Sequence, residues 1–222
     1  MITYIKMKTQ TAETQANLTP HKALEILKEG NRRFVNNLKV NRNLLEQVNA
    51  TKDGQYPFAI VLSCIDSRTS AELIFDQGLG DIFSVRIAGN VLNEDILGSM
   101  EFACKLAGSK QIVVLGHSKC GAIKGACAGV QLGNLSGLLR KVEPAIRSVS
   151  PETKENGNTD PAFIKAVERQ NVFSTMDQIL EKSPVLKELL EKGEIGITGG
   201  YYDVDTGEVE FIKELIAEPV MG

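Results

Sequence analysis

Tryptophan is absent from the 222 residues, and histidine occurs only twice, as His21 and His117. Any metal site that uses imidazole must draw on one of those two. Basic residues show no surplus: 25 Lys and Arg stand against 28 Asp and Glu, a net charge of -3. A general nucleic-acid binder, which needs a basic stripe to neutralise phosphates, is thereby excluded. No apolar run approaches the ~20 residues that cross a bilayer, so no membrane insertion is expected. Residues 1–18 contain no continuous apolar segment of the secretory kind and read as a polar arm, with Met7 as an alternative start. Four cysteines are too few to staple a chain of this length. Thiols at meaningful spacings in such a chain more often bind metal or do chemistry, and a cytoplasmic location is the expectation.

What is present suits one sizeable domain over residues 19–222. Hydrophobic residues make up 42% and charged residues 24%, enough to bury a core. Thr19-Pro20 offers a capping hydroxyl followed by proline at the first helical position, and residues 20–37 continue at helical spacing. His21 falls in the first turn among solvated neighbours and reads as a surface residue. Residues 57–63 (PFAIVLS), 81–87 (DIFSVRI) and 110–116 (KQIVVLG) are short apolar runs, and a helical pattern fills 93–107 between the last two. Further helices are expected at 133–150 and 161–181, joined by a polar loop at 151–160. Strands are expected at 194–201 and 208–212, on either side of a turn at 203–207. Continuous apolar strands alternating with amphipathic helices specify an α/β fold. The expected architecture is a mainly parallel central sheet with helices on both faces, a C-terminal strand and an N-terminal helical arm.

Two polar clusters each directly follow a strand: Cys64-Ile65-Asp66-Ser67-Arg68 and His117-Ser118-Lys119-Cys120-Gly121. Sites in open parallel sheets form outside the carboxyl ends of strands, so two strand ends can bring Cys64, His117 and Cys120 together. Two thiolates and an imidazole suit zinc, with a fourth position open to water. Cys104, in an apolar helical stripe, and Cys127, within GACAG, read instead as buried small hydrophobes. Asp66 and Arg68 are either a surface ion pair or, beside a metal, a carboxylate held ionised and oriented. Lys119 reads as a solvated side chain.

With CIDSR followed by HSKCG, the sequence resembles the β-class carbonic anhydrases, whose signature is CxDSR followed by HxxCG. FSVRIAGN at 83–90 is similar to that family's VRNAGN segment, with Ile87 where asparagine is usual. ERQNV at 168–172 and GGYYDVDTGEVEF at 199–211 match as well. The resemblance implies one zinc per chain held by Cys64, His117 and Cys120, a catalytic dyad of Asp66 and Arg68, and a backbone amide from Gly121 near it. It also implies substrate contacts from Gln55, nine positions before Cys64, and from Phe83, nineteen after it. Ala88 would line the same pocket. Members with a non-catalytic bicarbonate site carry tryptophan and glycine where this chain has Val61 and Ser63, so the open, water-bound type is implied. Phe102 stands where some members have tyrosine. Asn171, within ERQNV, reads as a packing or capping residue.

The reaction this implies is reversible hydration of carbon dioxide to bicarbonate and a proton, with zinc-bound hydroxide as nucleophile. The family builds its site at a dimer interface, so a homodimer or homotetramer is expected. Two rivals stand beside it. The same centre would hydrolyse another linear heterocumulene such as carbonyl sulfide or carbon disulfide, and a fourth strong ligand would make the zinc structural.

Overall fold

The computed structural model describes residues 9–150 and 159–216. In chain order the elements are α1 (Ala12–Ala16), α2 (Pro20–Val35), α3 (Leu44–Thr51), β1 (Ala59–Ser63), α4 (Ala71–Ile74), β2 (Ile82–Arg86), α5 (Glu94–Glu101) and β3 (Gln111–His117). There follow α6 (Gly121–Cys127), α7 (Gly133–Leu139), α8 (Glu143–Val149), α9 (Pro161–Lys182), α10 (Pro184–Glu191), β4 (Gly196–Tyr202) and β5 (Val209–Leu215). The five strands form one sheet in the order β2-β1-β3-β4-β5. The first four are mutually parallel, and β5 returns antiparallel to β4. The expected α/β architecture is therefore the observed one.

Alternation along the strands assigns the two faces of the sheet. Ile60, Leu62, Ile112, Val114 and Ile197 point into a core shared with α5, α9 and α10. Ala59, Val61, Val113 and Leu115 point the other way, against Ala23 and Leu27 of α2 and Ala71 and Ile74 of α4. Both faces of β1 and β3 are covered, which is why their sequences are unbroken apolar runs. The segment before α2 is tied down as well: Gln15 of α1 is buried, and its Nε2 donates to the carbonyls of Pro57 and Ala107 at 2.8 Å each.

Several boundaries depart from the sequence expectation. The helix expected over 93–107 is α-helical only to Glu101, then widens into a π-helical turn at Phe102–Leu106. The helix expected over 133–150 is interrupted by a 3-10 turn at Arg140–Val142, after which α8 starts at Glu143 with Pro144 in its first turn, where the missing N–H is tolerated. The last strand runs on to Leu215. The short helices α1, α3 and α4 carry too few apolar repeats to announce themselves, whereas α10, with Val185, Leu186, Leu189 and Leu190 at helical spacing behind Ser183-Pro184, had a legible pattern that the sequence reading did not assign. Of the polar loop expected at 151–160, all but Thr159 and Asp160 lies outside the described residues, as does Met7.

Glycines in β3 and β4 make room for the side chains of helix α9. A Cβ built on Gly199 would sit 2.8 Å from both Val172 and Met176, and one on Gly116 would sit 2.6 Å from Val172. Gly199→Val is expected to overpack this contact and cost about 1–3 kcal/mol. Thermal unfolding of the variant should show a midpoint several degrees lower; an unchanged midpoint would mean α9 can move away freely.

Candidate functional site

Strand β1 connects to β2 on one side and β3 lies on the other, so the order of the sheet reverses between β1 and β3. Crossovers diverge there and leave a crevice at the strand carboxyl ends. Cys64 follows the last residue of β1, and His117 is the last residue of β3. Cys120 then caps α6 at its first turn. The ligand atoms of Cys64, His117 and Cys120 all lie within 4.8 Å of one another, and all three residues are buried.

The chemistry of this trio fits a soft or borderline cation. The two Sγ atoms are 4.0 Å apart, close to the roughly 3.8 Å that tetrahedral thiolates at ~2.3 Å from zinc would show. His117 Nδ1 lies 2.9 Å from the carbonyl of Ser118. A carbonyl can only accept, so Nδ1 carries a proton, and in the neutral ring Nε2 is the nitrogen with the lone pair. That Nε2 is buried and has no hydrogen-bond partner among the described residues, which an unligated imidazole nitrogen would pay for in desolvation. The Cys64 thiol leans towards ionisation, and Cys120 keeps the proton. The hydrogen bond from Cys120 draws Cys64 down to about 4, assisted by His117, while the Cys64 charge and burial push Cys120 up. Burial opposes charge on His117, yet the Cys64 thiolate beside it leaves its pKa raised.

Asp66 and Arg68 form a bidentate pair. Nε of Arg68 donates to Oδ1 of Asp66 at 2.9 Å and a terminal nitrogen donates to Oδ2 at 2.8 Å, while the Arg68 backbone N–H adds a 3.0 Å bond to Oδ1. The Arg68 side chain thereby holds the Asp66 carboxyl well below the ordinary carboxylate range.

The loop that carries Cys64 and Asp66 is braced through its main chain by residues that sequence reasoning did not single out. Arg86, at the end of β2, donates to the carbonyls of Cys64 at 3.0 Å and Asp66 at 2.6 Å. Thr69 Oγ1 reaches the same two carbonyls. Gly89 lies in a 3-10 turn at Ala88–Asn90 and donates its N–H to Cys64 Sγ at 3.3 Å. Asn171 of α9 fixes that turn by donating to the Gly89 carbonyl at 2.8 Å, a packing role of the expected kind. Glu168, one turn earlier on α9, accepts from the Cys120 N–H at 2.8 Å. Arg86 and Glu168 sit in the FSVRIAGN and ERQNV segments, so those segments were the available signal.

Not every expected site residue joins the cluster. Ala88 is half-buried beside Gly89, adjacent to Cys64. Gly121 opens α6 directly after Cys120, and a Cβ there would meet nothing within 4 Å, so open space lies over it. Gln55, by contrast, is exposed and precedes the amino end of β1, whereas Cys64 follows its carboxyl end. At ~3.3 Å per residue the strand alone separates those ends by about 16 Å. Phe83 is level with Ile60 in the register of β1 and β2, also well below Cys64. It packs edge-on against Phe102, with ring centroids 6.2 Å apart. His21 is exposed, and Cys104 and Cys127 are buried, their thiols pushed up by burial to about 12 and about 11. Lys119 is exposed and ion-paired with Asp205 at 2.6 Å.

The profile of the family described as carbonic anhydrase matches residues 59–209 of this chain. The sequence is 35% identical to carbonic anhydrase 2 of Mycobacterium tuberculosis over 192 residues, covering 86% of this chain and 92% of that protein. It is also 35% identical to the carbonic anhydrase of Mycolicibacterium smegmatis, covering 90% of this chain and 96% of the relative. Among solved structures, it is similar to the β-carbonic anhydrase CafA of Aspergillus fumigatus, with a TM-score of 0.66 at 27% identity over 79% of this chain and 83% of CafA. With two strand ends delivering a Cys-His-Cys cluster beside a clamped aspartate, and with relatives matched over nearly their whole lengths, the chain belongs to the β class of the carbonic anhydrase family.

Proposed function

We propose that the chain catalyses the reversible hydration of carbon dioxide to bicarbonate and a proton, using one zinc ion held by Cys64, His117 and Cys120. The observation that carries this reading is the convergence, within 4.8 Å, of two buried sulfurs and a buried imidazole nitrogen with no hydrogen-bond partner among the described residues. A zinc ion there supplies Lewis acidity, which lowers the pKa of water from ~15.7 towards neutrality. The chain's own residues supply orientation. Asp66, kept anionic by Arg68, accepts a hydrogen bond at a fixed position beside the cluster. Because Arg68 saturates one side of the carboxylate, Asp66 is restrained from ligating the metal itself, which favours the open type. Ala88 and the space over Gly121 provide room for a small linear substrate. Metal analysis combined with a hydration assay tests the reading.

The assembly belongs to the same proposal. Gln55 and Phe83 lie at the amino ends of β1 and β2, far from their own chain's cluster, so they can serve as substrate-binding residues only for a second copy. Exposed apolar side chains on α3, the helix that precedes Gln55 in the chain, support that arrangement: Leu44, Leu45 and Val48 are 56%, 71% and 48% exposed. A homodimer or homotetramer is the expected assembly, in the cytoplasm, where thiolate ligands stay reduced. Mixing Gln55→Ala with Cys64→Ala chains after dissociation should regain activity that neither has alone, since one hybrid site is then intact. No regain, or an active monomer on sedimentation, would contradict it.

A further inference from the structure

Glu168 takes no part in the reaction as proposed, yet its side chain reaches the main chain of a metal ligand. It is only 3% exposed. One carboxylate oxygen accepts from the Cys120 N–H at 2.8 Å, and the other accepts from the Tyr201 hydroxyl at 2.6 Å. Tyr201, on β4, is itself 4% exposed. Burial and its bond to Glu168 push the phenol up, so it remains a donor. The acceptor aimed at Cys120 is thus fixed from two elements, α9 through the backbone of Glu168 and β4 through Tyr201. Cys120 is the N-cap residue of α6 and makes no side-chain capping hydrogen bond. A buried N–H at a helix start needs an acceptor, and a carboxylate gives a stronger bond than a neutral oxygen.

We infer that Glu168, locked by Tyr201, is a positioning residue that holds the Cys120 main chain so that its sulfur stays aimed at Cys64 and His117, and thereby governs how long the metal is retained. This rests on the metal reading of the cluster. Glu168 and Tyr201 also line, together with Cys120, a cavity of about 460 Å³. Water from that cavity can take over part of the lost bonding in a truncated variant, which favours folding of the variant while leaving Cys120 loosely held.

The test compares zinc-loaded wild type, Glu168→Ala, Glu168→Gln and Tyr201→Phe, with Val172→Ala as a packing control on the same helix. Two readouts are followed: zinc release to excess chelator, and the thiolate-to-metal absorption of the cobalt-substituted protein. Glu168→Ala should release zinc about 10–100-fold faster, the usual scale for groups that orient a ligand, with a shifted cobalt spectrum. Glu168→Gln retains an acceptor oxygen for Cys120 and should restore most of the retention. Tyr201→Phe should accelerate release in the same direction but less. Val172→Ala, which loses only methyl groups, should leave release unchanged. Wild-type release by Glu168→Ala, or equal acceleration in Val172→Ala, would overturn the inference. Should Glu168→Ala fail to fold, wild-type behaviour of Tyr201→Phe would overturn it instead. A wild type that takes up no metal would refute the metal reading and this inference together, whereas a metal-bound wild type with an indifferent Glu168→Ala refutes the inference alone.

Discussion

Replacing Cys64 with alanine is expected to remove metal and activity together. Zinc per chain should fall from about one towards zero, since two remaining ligands cannot build a four-coordinate site. The variant loses more than a ligand. Cys64 Sγ also accepts the Gly89 N–H, so alanine leaves that buried donor unpaired at a cost of about 1–3 kcal/mol. Stability and metal loss are separable because Cys104 and Cys127 provide controls. Both are buried thiols whose pKa values are raised by burial alone or chiefly by burial, and neither belongs to the cluster. Cys104→Ala and Cys127→Ala should lose packing but keep full zinc and turnover. Metal analysis by atomic emission on the three variants decides it, and full zinc occupancy in Cys64→Ala would contradict the ligand assignment.

Asp66→Asn is the second large effect, and it should separate binding from turnover. Zinc content should stay near wild type, while hydration slows about 100-fold or more, within the range for a positioned acid–base group. The isosteric amide presents an NH2 group either to Arg68, where it meets another donor, or to the reacting centre, where an acceptor is needed. Rotating the amide solves one problem and creates the other. The pH behaviour follows with a definite sign. Arg68 lowers the Asp66 pKa in the folded chain, so any stability from this pair is present above the unfolded carboxylate value of ~3.9 and is lost only as pH falls towards the depressed value. Asp66 therefore stays ionised throughout the working range, and it should contribute no step of its own to the activity profile near neutral pH. Wild-type rates in Asp66→Asn would rule out the proposed role.

The parts of this molecule that are legible in its sequence are those written in local periodicity. Residues 57–63 and 110–116 are apolar on both faces because β1 and β3 are covered on both faces, and each run ends where a polar ligand cluster begins. The Cys64, His117 and Cys120 trio could be read because a parallel sheet delivers strand ends to one crevice. What could not be read travels through the main chain. Arg86, Thr69 and Glu168 contact backbone carbonyls or N–H groups of the ligand loops, and no side-chain pattern advertises a partner of that kind. The π-helical turn at Phe102–Leu106 keeps the same hydrophobic spacing as an ordinary helix end and so passed as one. Gln55 and Phe83 show a further gap: sequence resemblance pairs them with the cluster, while the register of β1 and β2 sets them about four strand residues or more away within one chain. Their proximity to a metal depends on a second copy, which is a property of the assembly and not of local sequence.

The most direct measurement is stopped-flow carbon dioxide hydration by zinc-quantified protein, across roughly pH 6.5 to 9, the span in which zinc-activated water titrates. A hydratase with an open site and a permanently ionised Asp66 should show activity proportional to bound zinc and rising smoothly with pH. A sharp loss below about pH 8, within that same span, would instead place Asp66 on the metal and contradict the open type. Full zinc with no hydration at any pH would contradict the central claim, pointing first to another heterocumulene as substrate and then to a structural metal.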